Sequence, residues 1–278
     1  MTEIKDQVGR YGVWQSSRTA TPELARGVEQ AGYGALWLGS ADEDLAGAEA
    51  MLDATSTLVV ATGIVNVWQT DATSLARAYQ RVAAKHGERF VLGVGTGHRE
   101  AFQQYEKPYG TLVSFTDTLL ANGVPADRLV LAALGPKVLR LAAERTAGAH
   151  PYLVPVEHTR RAREEIGAAP LLAPEHKVVL NPDPEQARAV GRPKVEKPYL
   201  GLVNYTDNLR RLGYTDADLE GGGSDRLIDA VVAHGSAEQV AAQLKAHLDA
   251  GADHVSIQLL GDDPLGDLVT LAPALGVG

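Results

Sequence analysis

Cysteine is absent from all 278 residues. That excludes disulfides and thiolate metal sites, and with them the small secreted scaffolds that depend on cross-links. Aromatic residues are also scarce, with three tryptophans and three phenylalanines beside nine tyrosines. Each tryptophan is therefore worth locating. No apolar run approaches the ~20 residues needed to cross a bilayer. The opening MTEIKDQVGR has no apolar centre of the kind a secretory signal carries. Positive charge is in deficit: 26 Lys and Arg against 35 Asp and Glu give a formal charge of −9. Such a surface repels nucleic acid and anionic membranes. Together these absences predict a cytoplasmic protein with a small-molecule substrate, no nucleic-acid partner and no membrane partner.

What the chain does have is alternation. Apolar runs recur as RYGVW ending near Trp14, GALWLGS ending near Ser40, and LVVATGIVNVW as one long third strand. RFVLGVGTGH follows with a strand from Phe90 to Val94, then RLVLAA over 128–133 and a short AGAHPYLV. The seventh runs over 176–180 and the eighth, HVSIQLL, over 254–260. Helix starts lie between them: Thr21-Pro22-Glu23, Asp71 and Pro182-Asp183-Pro184 supply capping side chains or a proline in the first turn. Strands alternating with helices, without hairpin signals, mean parallel pairing. Eight such units in this length predict an α/β fold, a (β/α)8 TIM barrel, as one domain over 1–278. An open doubly wound sheet is the alternative. The one long excursion, 182–235, follows strand seven and contains Gly221-Gly222-Gly223. An insertion there overhangs the barrel mouth and is expected to form a substrate wall or lid.

In a parallel α/β protein, ligands sit at the C-terminal ends of the strands. The fourth strand ends there in Gly93, Gly95 and Gly97 at alternate positions, followed by His98. Alternate glycines either strip one face for a flat ligand or build a tight turn that ends in a surface histidine. A dinucleotide fingerprint fails, because His98 stands where GxGxxG needs its third glycine. The turn Ala132-Ala133-Leu134-Gly135-Pro136 leads from strand five into a helix. Its amides either form an anion site or an ordinary strand–helix turn. Trp14, Trp68, Asn66, His150 and Tyr152 fall at or near strand ends. His150 is expected to be buried and hydrogen-bonded, while His158 and His234 are predicted on helix surfaces, and His176 begins strand seven away from the mouth. No His/Asp/Glu grouping has metal-ligand spacing, so no metal is expected, and no GxSxG elbow is present.

Three stretches, TGIVNVW over 62–68, RFVLGVGTGH over 89–98 and LVLAALGPKVLRLAAERTAGAHPYLV over 129–154, resemble the bacterial luciferase-like flavin-dependent superfamily. They are most similar to its actinobacterial branch, which uses the deazaflavin coenzyme F420; the tail DAGADHVSIQLL fits the same family. The resemblance implies a (β/α)8 barrel with a deazaflavin in its mouth and a non-prolyl cis peptide at Gly63–Ile64 supporting the ring. Gly95, Thr96 and Gly97 would line the ring, with Asn66 and Trp14 beside it. The cofactor phosphate would rest on Ala133, Leu134, Gly135 and Pro136. Sugar-phosphate and alcohol dehydrogenases of the family carry an Asp-His pair after strand two. Here Ser40 and Ala41 stand in its place, neither a strong acid or base, and the acidic loop behind them disfavours a sugar phosphate. His98 is then the expected acid/base residue, with Trp14, Trp68 and Tyr199 or Tyr205 walling the substrate. The implied activity is F420-dependent hydride transfer. The alternatives are an FMN-dependent monooxygenase and a non-catalytic flavin- or deazaflavin-binding barrel. Family members often pair, and residues 71–123 leave room for a homodimer.

Overall fold

The computed structural model describes residues 3–97 and 107–278. In chain order the elements are α1 (Ile4–Val8), β1 (Tyr11–Ser16), α2 (Pro22–Gln30), β2 (Ala35–Gly39), α3 (Ala46–Asp53), β3 (Val59–Thr62), β4 (Val65–Asn66), α4 (Ala72–His86) and β5 (Phe90–Gly95). There follow α5 (Pro108–Ala121), β6 (Leu129–Leu131), α6 (Pro136–Arg145), β7 (Gly148–Ala149), α7 (Val156–Ile166), β8 (Leu171–Leu172) and β9 (Glu175–Val179). The rest is α8 (Pro184–Glu196), α9 (Val203–Arg211), α10 (Asp216–Leu219), α11 (Asp225–Val231), β10 (Val232–His234), α12 (Ala237–Asp249), β11 (Val255–Leu259) and α13 (Pro264–Leu275).

Local chemistry sets the helix starts. Thr21 accepts the Leu24 amide with Pro22 in the first turn of α2, Asp71 accepts the Ser74 amide, and Ser236 with Gln239 forms a capping box on α12. Each helix then turns its apolar stripe inward; α4 buries Leu75, Ala78, Tyr79 and Val82.

All neighbouring strands are parallel, in the order β10-β9-β11-β1-β2-β3-β5-β6-β7-β8, with β4 on β5. The ends of this path meet, because β8 and β9 are two halves of one bent segment. On one side Leu171 N donates to Ala147 O at 2.8 Å and Ala173 N to Ala149 O at 2.9 Å; on the other, Ser256 N donates to Pro174 O at 2.9 Å. The sheet is thereby closed into the expected TIM barrel, with β3/β4 and β8/β9 each counting as one barrel strand.

The Gly63–Ile64 peptide is cis, as the family resemblance implies. Three details differ from the sequence reading. The long third strand is split at that point into β3 and β4, and β4 resumes the pairing with β5 at Val65↔Val94. The sixth is only Gly148–Ala149, because the chain breaks from the ladder at His150-Pro151. The excursion after strand seven ends in an unforeseen strand, β10, which pairs with the upper part of β9 at Val232↔Lys177 and His234↔Val179. His234 therefore sits half-buried on a strand, not on a helix surface. His158 is on α7 as expected but is 3% exposed, because α7 packs that face against the strand-five turn.

A main core lies between the barrel and its helices. A second lies under the excursion: Val195, Leu202, Tyr205, Leu209, Leu227 and Ile228 cluster there and reach Leu134 and Tyr152 at the mouth. The insertion is thus packed as a wall on the strand-five and strand-six side. Among the described residues, no helix is long and apolar enough to cross a membrane.

Candidate functional site at the barrel mouth

Side chains alternate along each strand, so every second residue points into the barrel. In the middle of the barrel, Trp37 is fully buried, stacks on His150 at 4.3 Å between ring centroids, and donates its Nε1–H to His254 Nε2 at 2.9 Å. His150 donates Nδ1–H to Ala173 O at 2.7 Å and His254 donates Nδ1–H to Gly9 O at 2.8 Å. His254 accepts on one nitrogen and donates on the other and is therefore neutral, His150 Nε2 is buried with no partner among the described residues, and burial holds each ring down to about 4. His150 is a structural histidine, as expected.

The layer above is the floor of the mouth, and it is lopsided. Strands β2, β5 and β6 and the β3–β4 break contribute Gly39, Gly95, Ala132 and Gly63. Strands β1, β9 and β11 and the exit of β7 contribute Trp14, Lys177, Gln258 and Tyr152. Trp14 leans across the small half. A Cβ on Gly39 would fall onto its Cζ2 and Cη2, and its Nε1–H donates to Gly63 O at 3.0 Å. Thr62, below the break, fixes the neighbouring strand by accepting Gly93 N at 2.7 Å and donating to Gly93 O at 2.8 Å.

The bulky half is a buried polar cluster. Lys177 is 1% exposed, and its Nζ donates to Tyr152 Oη at 2.9 Å, Glu175 Oε1 at 3.1 Å and Gln258 Oε1 at 2.9 Å. Glu175, 0% exposed, also accepts the Leu153 amide at 2.9 Å. Tyr152 donates to Gln258 Oε1 at 2.8 Å. The ammonium lies 4.1 Å from the Tyr152 ring centroid and 5.4 Å from that of Tyr199. Burial pushes the Glu175 carboxyl up and the Lys177 ammonium down, and each charge opposes that shift in the other. An aromatic row runs from Trp14 through Tyr152 (5.1 Å) and Tyr199 (5.4 Å) to Tyr205 (5.0 Å).

At the end of β6, Gly135 caps α6 with Pro136 in its first turn. The amides of Leu134 and Gly135 donate to no acceptor among the described residues. Arg211 Nη2, from α9, comes within 3.9 Å of where a Cβ on Gly135 would stand. His158 Nε2–H donates to Leu134 O at 2.9 Å and pins the turn from behind; burial lowers this imidazole to about 4. Free amides at a helix N-terminus beside a guanidinium suit an anion.

The structure brings the sequence candidates Trp14, Gly63, Ile64, Asn66, Gly95 and Leu134–Pro136 around one mouth. It changes the part played by several. The face bared by Gly93 and Gly95 is filled by protein: a Cβ on Gly93 would strike Thr62 O, and one on Gly95 would meet Ala132 Cβ at 2.8 Å and Ile64 Cδ1 at 3.3 Å. These glycines let neighbouring strands approach and leave no cradle for a ring. Asn66 turns its Oδ1 back to accept the Trp68 amide at 2.9 Å. Ala133 buries its methyl in the core, at 3% exposure, so only its backbone faces the turn. Thr96 and Gly97 are half-buried, with Gly97 at φ +57° where the chain leaves β5. His98 lies outside the described residues. Glu175, Lys177 and Gln258 were not anticipated. The signal was the pair of charges two apart in the strand EHKVV, which puts both on one face. Among the described residues, no group of His, Asp and Glu could hold a metal ion.

Residues 4–121 match the family described as luciferase-like monooxygenase. No curated protein matches the sequence at a significant level. Solved structures that share the fold include the following three. One is an F420-dependent secondary alcohol dehydrogenase in complex with an F420-acetone adduct, at TM-score 0.76 and 13% identity over 96% of this chain and 99% of that one. A coenzyme F420-dependent tetrahydromethanopterin reductase from Methanopyrus kandleri gives TM-score 0.73 and 13% identity over 96% and 99%. The oxygenating constituent of the 3,6-diketocamphane monooxygenase of Pseudomonas putida, in complex with FMN, gives TM-score 0.62 and 15% identity over 95% and 96%.

Proposed function

We propose that this chain, luciferase-like by sequence over residues 4–121 and by fold over nearly its whole length, is an oxidoreductase that moves a hydride between bound coenzyme F420 and an organic substrate. The observation that carries the reading is the mouth itself. The mouth carries a turn with free amides beside Arg211, and the cis Gly63–Ile64 peptide lies at the position the family resemblance implies. Such a mouth suits a molecule with a phosphate at one end and a flat ring at the other.

The backbone of Ala133 to Pro136 would hold the phosphate, with the α6 dipole and Arg211 favouring its charge. Gly63, Ile64, Thr96 and Gly97 would border the ring. Trp68, Tyr199 and Tyr205 would wall off the substrate and exclude water. When bound, the deazaflavin supplies or accepts the hydride. His98 would move the proton that accompanies it. After β2, Ser40 adopts φ +53° and its carbonyl accepts the Ser17 hydroxyl at 2.7 Å; its own side chain is not a strong acid or base.

Parallel titration with oxidised F420, FMN and riboflavin tests the reading. F420 should bind, and FMN should bind at least about tenfold more tightly than riboflavin because it alone presents the phosphate. Failure of F420 and FMN alike to bind overturns the proposal. Tight FMN with no F420 binding moves it to a flavin monooxygenase, whose phosphate the same turn would take. For the proton step, His98→Ala should lower turnover about 10²–10⁴-fold with cofactor affinity little changed; an equal loss of both removes the proton role.

A further inference from the structure

Ile257 and Leu259 of β11 pack outward into the core beneath the helices, so Gln258 between them points into the barrel. It pairs with Lys177 of β9. The two ends of its amide have unequal company. The oxygen accepts Lys177 Nζ at 2.9 Å and Tyr152 Oη at 2.8 Å. An ammonium only donates, so the atom it meets is the oxygen, and both of that oxygen's lone pairs are engaged. The nitrogen, with two N–H groups, meets no acceptor among the described residues. Buried side-chain atoms left without a partner occur elsewhere, as at His150 Nε2, but Gln258 Nε2 is not one of them; it keeps accessible surface. Ser256, next below it on the same face, and Glu175, paired with Ser256, are both 0% exposed. The surface that Nε2 reaches therefore lies on the mouth side. The rest of the cluster is spent: Lys177 places its three donors on Tyr152, Glu175 and Gln258, and Tyr152 gives its own to Gln258. Turning the amide over would aim its N–H groups at the ammonium, so its orientation is set from behind.

The barrel order puts these donors opposite the elements assigned to the cofactor. Those sit on neighbouring strands: the cis peptide between β3 and β4, Thr96 and Gly97 after β5, and the Ala133–Pro136 turn after β6. With β3/β4 and β8/β9 each counted once, β11 lies four strands from β5 in either direction round the cylinder. We propose that Gln258 determines specificity in the substrate half of the mouth, its amide N–H groups binding an acceptor oxygen, and that the substrates it favours are carbonyl compounds. This rests on the reading that an organic substrate enters the mouth beside the cofactor. With Oε1 fully engaged, the side chain offers donors and no acceptor. A carbonyl oxygen, which accepts twice and donates nothing, matches it; an alkene of the same shape leaves both N–H groups unpaired. The ammonium on Oε1 polarises the amide and strengthens those N–H groups as donors.

The test uses the F420-loaded protein and pairs of probes of equal shape, acetophenone against α-methylstyrene and cyclohexanone against methylenecyclohexane. Calorimetry gives the affinities, and infrared difference spectra of the isotope-labelled ketones report the C=O stretch. Gln258→Glu keeps the contacts to Lys177 and Tyr152 but replaces the donors by an acceptor. Gln258→Met removes the donors without adding charge. The ketone-to-alkene affinity ratio should be about tenfold higher in the wild-type protein than in either variant. The stretch should lie at lower frequency in the wild-type complex than in hexane, and the variants should lose that shift with F420 affinity little changed. Thermal melts identify a variant that fails to fold, and the other then decides. An unchanged ratio and stretch in either folded variant overturn the proposal and leave the cofactor reading standing. So does a wild-type protein that binds neither ketone, or one whose bound ketone keeps its hexane stretch. If the wild-type protein binds neither F420 nor FMN, the cofactor reading falls, and the same ratios measured without cofactor decide the role of the amide.

Discussion

Lys177→Met should leave the protein about 3–5 kcal/mol less stable, measured by urea unfolding at neutral pH. The variant strands Glu175, whose carboxylate is fully buried and keeps only the Leu153 amide once the ammonium is gone. It also deprives Tyr152 Oη and Gln258 Oε1 of a shared donor. Removing one partner of a buried pair is far worse than removing both, so Glu175→Gln with Lys177→Met should recover most of the loss. The amide oxygen can still accept Leu153 N–H, and methionine fills the lysine stem's volume. A single variant within 1 kcal/mol of wild type would mean that the pair is not desolvated as described. A double variant that is stable yet binds ligand poorly would show that the cluster shapes the mouth as well as the fold.

Mild acid should unfold the protein. His150, His158, His176 and His254 are each held down to about 4 by burial, and His247 lies well below its ordinary value. For His150 and His158 the cause is burial of a ring that donates from one nitrogen only; for His254, His247 and His176 the second nitrogen also accepts, which requires the neutral form. Thr159 Oγ1–H points at His247 Nδ1 (2.8 Å), and His247 Nε2–H points at His176 Nδ1 (3.0 Å). A proton added to either ring would set two donors face to face. The unfolded chain takes up these protons as pH falls through about 6.5, while the folded chain resists until about 4. The stability is therefore complete above the unfolded value and drains away between the two. With four to five such groups the slope near pH 5.5 approaches about 5 kcal/mol per pH unit, enough to exhaust an ordinary domain's stability near pH 5. Unfolding free energy measured from pH 8 to 5, with proton uptake from calorimetry in two buffers, checks this. A flat profile between pH 7 and 5 would refute it.

The barrel was legible because its cause is local. Alternation of β-branched runs with capped amphipathic helices is written every ~30 residues, and the capping residues Thr21, Asp71 and Asp183 all act as expected. The turn after strand five was legible for the same reason, since a Gly-Pro helix start exposes amides wherever it occurs. The polar cluster was hidden because burial of a charge depends on partners remote in sequence: Lys177 meets residues 25 and 81 positions away. His158 read as a surface residue because nothing in its helix reveals that α7 turns that side to Leu134. Glycines misled in a specific way. A missing side chain on a strand admits either a ligand or a neighbouring strand, and at Gly93 and Gly95 the neighbouring strand arrives first.

The two joints of the long excursion lie side by side. β9 ends at Val179, and the chain re-enters the sheet at Val232, hydrogen-bonded beside Lys177. Everything between them is a cassette hung from a single strand, with a core of its own. Its length makes no demand on the cylinder beneath, since the end-to-end span stays the same whatever is threaded through it. The wall can therefore be lengthened, shortened or relined, changing what the mouth admits, without disturbing the strand ends beneath it.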